Sequence, residues 1–250
     1  MFSNLFSVSN NSTNFELLEE RDGQYYLKNS GKLFSGLVYN IDGRSDGNIR
    51  NGKKSGKFTF YYDNGQIKKV GYYQNNFQQR RWKYYYESGQ LHGIGSYING
   101  NGSDPGVDSD IPKHGRIGNW FFYHENGGIL EEQNWKNGHE IGYHRTYYDN
   151  GQMEWESYYK KDGTRDESKP STKWYKNGHV WYTGYWGDDT GWVGPFKEYY
   201  ENGQLRDTGY SVRIDGKYTW NGLRKTYNQE GDLIKEETYK DGKLINSIEY

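Results

Sequence analysis

Six histidines, His92, His114, His124, His139, His144 and His179, are the side chains of this sequence most suited to base or metal chemistry. They fall at unrelated places, no H-E-x-x-H pattern accompanies them, and cysteine is absent, so neither a zinc site nor a thiolate nucleophile is indicated. Three carboxylates, Asp104, Asp108 and Asp110, share the stretch DPGVDSD. A hard cation wants several oxygens at such a bend, but the EF-hand spacing and its closing Glu are missing, and the stretch reads as a solvated acidic loop. The acids Asp63, Glu87, Glu125, Asp149 and Glu201 each stand two residues before a glycine. A position repeated so often speaks for a turn role, whereas a carboxylate pair for sugar hydrolysis needs one special place. No P-loop, dinucleotide fingerprint or G-x-S-x-G element occurs. The expectation is a protein without cofactor, metal or catalytic residues.

What remains is aromatic. Trp155, Trp174, Trp181, Trp186 and Trp192 lie close together in the chain, among 27 Tyr, 10 Phe and 9 Trp in 250 residues. These rings bury apolar faces while keeping a polar tip near water, so a mean hydropathy of −1.20 is compatible with a packed fold. Lys+Arg number 32 against Asp+Glu 33. That balance lacks the single-sign field of a nucleic-acid binder, and the best basic run, Gln78 to Lys83, is too short to favour anionic lipid. The missing cysteines suit a reducing cytoplasm, and neither a signal peptide nor a run of 18 apolar residues is found; a cytoplasmic location is expected.

The elements that must carry these residues follow from a repeat. YYDNGQ stands at 61–66 and again at 147–152, and glycines of the same kind recur at Gly31, Gly65, Gly89, Gly127, Gly151, Gly178, Gly203 and Gly231. Eight units of this length signal an array. Asn-Gly favours a two-residue type I′ hairpin. With Asn64-Gly65 as that loop, Tyr62 faces Ile67, Phe60 faces Lys69 and Phe58 faces Gly71. The same arithmetic sets Trp82 on Gly95, Phe196 on Gly209 and, one step closer in, Tyr25 on Gly36, so that each ring covers a cross-strand glycine. Tyr62, Tyr86, Tyr148, Tyr175 and Tyr200 form a predicted core ladder, Trp174 faces Trp181 on the opposite face, and Lys225 faces Glu236 in a charged terminal hairpin that caps the array. Second turns are predicted at Asn75-Asn76, Asn99-Gly100, Asn137-Gly138, Asp162-Gly163, Asp215-Gly216 and Asp241-Gly242.

Units such as Tyr61-Tyr62-Asp63-Asn64-Gly65-Gln66-Ile67 and Tyr199-Tyr200-Glu201-Asn202-Gly203-Gln204-Leu205 resemble MORN repeats (membrane occupation and recognition nexus), and more closely the bacterial variant form. The resemblance implies an all-β, elongated single-layer antiparallel sheet of about eight stacked hairpins over residues 23–250, behind an N-terminal tail at 1–22. It further implies a non-enzymatic scaffold that binds a protein partner, with an antitoxin-like or immunity-like protein sequestering a toxin as the concrete form. Lipid-headgroup contact and carbohydrate binding along the aromatic strip stand as alternatives, and an open edge strand invites a homodimer. The residues expected to meet a partner are Trp155, Trp174, Trp181, Trp186 and Trp192, with Asp104, Asp108 and Asp110. The insertions at 100–117 and 184–194 interrupt the repeat, and deleting 103–112 is expected to leave the fold cooperative.

Overall fold

The computed structural model describes residues 12–39, 45–106, 109–186 and 192–250. Among them the only helical piece is a 3-10 turn at Phe15–Leu17, and nearly everything else is strand and turn. The chain divides into two compact units, Met1–Gly127 and Gly128–Tyr250. Each is an open sheet of successive antiparallel hairpins, as the sequence predicts. One parallel pairing departs from this, joining Ser12–Asn14 to Gly36–Tyr39 in the first unit.

The hexapeptide does not make a type I′ turn. The N–H of Tyr62 donates to the carbonyl of Gln66 at 2.8 Å and that of Gly65 to the carbonyl of Tyr62 at 2.9 Å, which closes a three-residue loop over Asp63-Asn64-Gly65. Gly65 takes φ 84° while Asn64 stays out of the positive region. The reason is local: the Asn64 side chain accepts the N–H of Gln66 at 2.9 Å, a bond that holds Asn within the turn without a left-handed backbone. Tyr61, not Tyr62, therefore faces Ile67, and a one-residue bulge at Lys68 restores the predicted pairs Phe60–Lys69 and Phe58–Gly71. The same slip sets Trp174 opposite Val180, leaving Trp181 as the bulge residue, so the predicted Trp174–Trp181 pair does not form. Type I′ geometry, with both central residues at positive φ, belongs to Asn75-Asn76, Asn137-Gly138, Asp215-Gly216 and Asp241-Gly242. Asp162-Gly163 instead sits in the three-residue form, closed by Lys160 and Thr164, and Gly100 lies within a strand opposite Gln78. Lys225 faces Glu236 as expected.

The tyrosines predicted as core are rungs between repeats. The hydroxyl of Tyr62 donates to the carbonyl of Tyr85 at 2.7 Å, Tyr86 to Tyr123 at 2.7 Å, Tyr148 to Trp174 at 2.8 Å, Tyr175 to Tyr199 at 2.9 Å and Tyr200 to Tyr227 at 2.8 Å. Beside them the turn asparagines Asn64, Asn150, Asn177 and Asn202 donate to carbonyls of the following turn at 2.8–3.0 Å. Each rung satisfies a turn carbonyl that the ladder leaves open. A single hairpin is marginal in water, so the hexapeptide recurs because it is the seam by which one hairpin holds the next.

The core of the first unit lies on the face that carries Phe58, Trp82 and Trp120. Trp82, Trp120 and Tyr97 are all 0% exposed. Tyr97 meets Trp120 edge-on at 4.9 Å and Tyr73 meets Trp82 edge-on at 5.0 Å. Trp82 pairs with Gly95 as predicted, but the ring over each glycine comes from across the junction between hairpins: Gly71 lies under Trp82 and Gly95 under Trp120, where an added Cβ would come within 2.1 and 2.0 Å of indole carbons. Phe196 does lie on Gly209 as predicted, its ring 3.0 Å from where a Cβ would stand. Gly36 pairs with Ile49 and not with Tyr25, because the first strands leave the repeat pattern.

Candidate functional site

Five repeats bring two side chains to this face four residues apart, with a left-handed residue between them. The pairs are Lys54 and Phe58 around Gly56, Gln78 and Trp82 around Arg80, Arg116 and Trp120 around Gly118, Glu140 and His144 around Gly142, and Trp220 and Arg224 around Gly222. Period-two alternation sets both outer residues on one face, and the left-handed middle residue leaves it, as exposed Arg80 does between buried Gln78 and Trp82. In the first unit the second position is a buried aromatic; in the second unit it becomes His144, Ser171, Phe196 and Arg224. Buried aromatics thus fill this position throughout the first unit, whereas in the second Phe196 alone is one.

In the first unit the insertion covers the face. Ile111 is buried, facing Gly93. The carbonyl of Pro112 accepts from the Tyr97 hydroxyl at 2.6 Å and from Arg116 Nε at 2.9 Å, and the carbonyl of Ile111 accepts from Arg116 Nη2 at 2.9 Å. Arg116 itself stacks over Trp120 at 4.5 Å. The expectation that deleting 103–112 leaves the fold cooperative is therefore corrected: removing them would strip Ile111 from the core and leave Arg116, 1% exposed, without these carbonyls.

In the second unit a cleft of about 380 Å³ opens, lined by Trp181, Tyr182, Trp186, Phe196, Glu198, Asp207, Trp220 and Arg224. The bulge at Trp181 explains how two consecutive residues, Trp181 and Tyr182, both line it. Glu198 Oε1 accepts from Trp181 Nε1 at 3.3 Å and from Arg206 at 3.1 Å. Arg224 grips Asp207 through Nε and Nη2, the latter at 2.5 Å, and lies over the Trp220 ring at 4.9 Å. Burial pushes the Tyr182 hydroxyl up to about 12, which keeps it a neutral donor. The walls are thus rigid rings, and the polar groups are fixed by their neighbours before any ligand arrives.

Of the residues predicted to meet a partner, Trp181 and Trp186 line this cleft and Trp155 packs edge-on against Tyr182 at 5.9 Å. Trp174 is half-buried and supplies the carbonyl for Tyr148, outside the cleft lining. Trp192 stands opposite Trp186 in the strand register. Asp104 and Asp110 are exposed in the insertion of the first unit, and Asp108 lies outside the described residues. The sequence reading missed Tyr182, Phe196, Glu198, Asp207, Trp220 and Arg224. The spacing of Trp220-x-Gly222-x-Arg224, which repeats Arg116-x-Gly118-x-Trp120 with the two types exchanged, was the available signal.

His144 has the surroundings that most resemble a catalytic base, with Glu131 2.8 Å from Nε2, Glu140 3.1 Å from Nδ1 and Ser157 opposite in the register. Burial would lower its pKa, but the hydrogen bonds and charges of Glu131 and Glu140 outweigh burial and push it up to about 9. Each ring nitrogen thus faces one carboxylate at ion-pair distance, which favours the charged imidazolium. Glu131, His144 and Glu140 form an ion cluster.

Fold and face together define a repeat scaffold of stacked β-hairpins. Residues 54–75, 81–99, 116–137, 192–210 and 220–241 match the MORN repeat variant. MORN repeats are a non-catalytic type that serves in general as a scaffold for protein or membrane interaction. No curated protein matches the chain. Two solved structures are similar, "Crystal Structure of TcdB2-TccC3-Cdc42" and "Crystal Structure of TcdB2-TccC3 without hypervariable C-terminal region", each at 12% identity and a TM-score of 0.20. They cover 86% and 90% of this chain, which spans only 13% and 14% of theirs, and a likeness this low carries no argument. No described helix is long and apolar enough to cross a membrane.

Proposed function

We propose that this chain is a non-catalytic scaffold that holds a protein partner, and that the cleft of the second unit is where the partner docks. The observation that carries this is a preformed cleft walled by Trp181, Trp186 and Trp220, in the unit where the row of buried aromatics Phe58, Trp82 and Trp120 gives way to His144, Ser171 and Arg224 and keeps only Phe196. Rigid Trp and Tyr rings in a preformed pocket are the usual anchors of protein interfaces, since they give large contact area at small entropic cost. In its concrete form the partner is a toxin-like protein that the chain sequesters in an antitoxin-like or immunity-like way. The test is affinity capture of the partner followed by titration of the purified pair. Trp181→Ala and Trp220→Ala should each weaken binding at least tenfold. Capture of polysaccharide in place of protein, lost in the same variants, would replace this reading with carbohydrate binding.

A further inference from the structure

We propose that the group the partner inserts into the second-unit cleft is an arginine side chain, seated on Glu198; this deepens the docking reading above and rests on it. The cleft holds two pairings of tryptophan with carboxylate, and only one of them has its own guanidinium. Asp207, 4% exposed, accepts from Arg224 through Nε and Nη2, and the same guanidinium lies 4.9 Å from the Trp220 centroid. At the other, Trp181 Nε1 donates to Glu198 Oε1 at 3.3 Å, and the lining supplies no arginine to it. Arg206 reaches that oxygen at 3.1 Å from outside the lining, with its side chain 49% exposed and its guanidinium over the Tyr200 ring. Glu198 Oε2 has no hydrogen-bond or ion-pair partner among the described residues.

Charge selects the guest. Arg224 is shared between Asp207 and Glu237, the latter 3.6 Å from Nη1, so the cation of the lining is spent and an anionic group would find no free one. Asp207 is spent with it. Glu198 is the lining's charge with an oxygen still open, and an entering guanidinium would donate to it. Trp181 is already stacked on Tyr175 at 5.3 Å with Lys173 4.9 Å from its centroid, so its part is to hold Glu198 through Nε1. Tyr182, Trp186 and Phe196 give the guest its ring walls. Arginine fits this better than lysine: its planar guanidinium is weakly hydrated, donates in plane to a carboxylate and packs its faces on rings. Walled off from water, such a pair outweighs the exposed Glu198–Arg206 contact, which alone is worth little.

The probe is a blocked Gly-Arg-Gly tripeptide at millimolar concentration, against its citrulline analogue, which keeps the shape and loses the charge. Both are titrated into the full chain and read by tryptophan fluorescence. The arginine peptide should bind about fivefold tighter, a comparison that needs no substitution in the protein. Glu198→Gln should erase that preference. Arg206→Gln, which leaves Glu198 unshared, should raise it about twofold, whereas a purely structural Glu198–Arg206 pair would make the two variants fail alike. Equal binding of the two peptides, no binding of either, or a preference that survives Glu198→Gln overturns the arginine seat. The captured protein partner separates this from docking itself: affinity lost in Trp181→Ala and Trp220→Ala but kept in Glu198→Gln retains the docking and overturns the arginine. A charge-selective peptide response beside a partner indifferent to all three variants retains the arginine seat and overturns the docking.

Discussion

The hydroxyl of Tyr62 donates to the carbonyl of Tyr85, 2.7 Å away and in the next hairpin. The same bond recurs from Tyr86, Tyr148, Tyr175 and Tyr200. It makes the second tyrosine of the hexapeptide an adhesive between repeats, and its partner is always the last residue before the next turn. Tyr62→Phe keeps the ring and removes only the donor. It should cost about 1 kcal/mol in urea unfolding and speed amide exchange in the two hairpins it joins. No change in either would mean that water replaces the rung.

Glycine is required at 71 and 95 for a reason different from turn geometry. A Cβ there would sit 2.1 Å from Trp82 and 2.0 Å from Trp120 carbons, and each indole N–H also bonds a neighbouring carbonyl, Trp82 to Tyr72 at 3.2 Å and Trp120 to Ser96 at 3.3 Å. Gly71→Ala and Gly95→Ala should each destabilise by about 3 kcal/mol, from overpacking. Gly65→Ala meets nothing within 4 Å and has only φ +84° against it, so about 1 kcal/mol is expected. Equal losses at the three sites in chemical denaturation would contradict this distinction.

His144 predicts a pH dependence with a definite sign. Its folded pKa, about 9, is raised above the ordinary 6.5 by Glu131 and Glu140 against the effect of burial. The stabilisation is therefore complete below about pH 6.5 and is lost as pH rises through about 9. The wild type should lose on the order of 2 kcal/mol between pH 6.5 and 10 relative to His144→Gln. A flat difference across that range would show that the imidazole is neutral in the fold.

The insertion of the first unit is part of its core. Ile111→Ala should cost roughly 3 kcal/mol, by loss of burial and the cavity left behind. Deleting residues 103–112 should cost more than this single change, and a deletion variant as stable as the wild type would mean that the strap lies loose in solution.

Much of this architecture can be read in the chain, and the failures are local. Turn glycines and tyrosines marked a chain of antiparallel hairpins, and Phe60–Lys69, Phe58–Gly71 and Lys225–Glu236 pair as their spacing says. The loop type was misjudged because Asn-Gly serves both a two-residue and a three-residue turn. The choice depends on whether the Asn side chain is spent on its own backbone, as Asn64 is on Gln66. One residue of bulge then moved Trp181 off the face assigned to it, and with it the predicted Trp174 partner. The cleft was half legible: clustered tryptophans marked Trp181 and Trp186. Glu198, Asp207 and Arg224 look like ordinary surface charges until the repeat shows that they replace core.

Hydrogen exchange on the chain with and without its captured protein partner reports whether the partner docks in the cleft of the second unit. Protection is expected along Val180–Trp186, Leu205–Ile214 and Gly222–Tyr227, and should disappear together with binding in Trp181→Ala/Trp220→Ala. Protection confined to the first unit, or binding untouched by the double substitution, would contradict it.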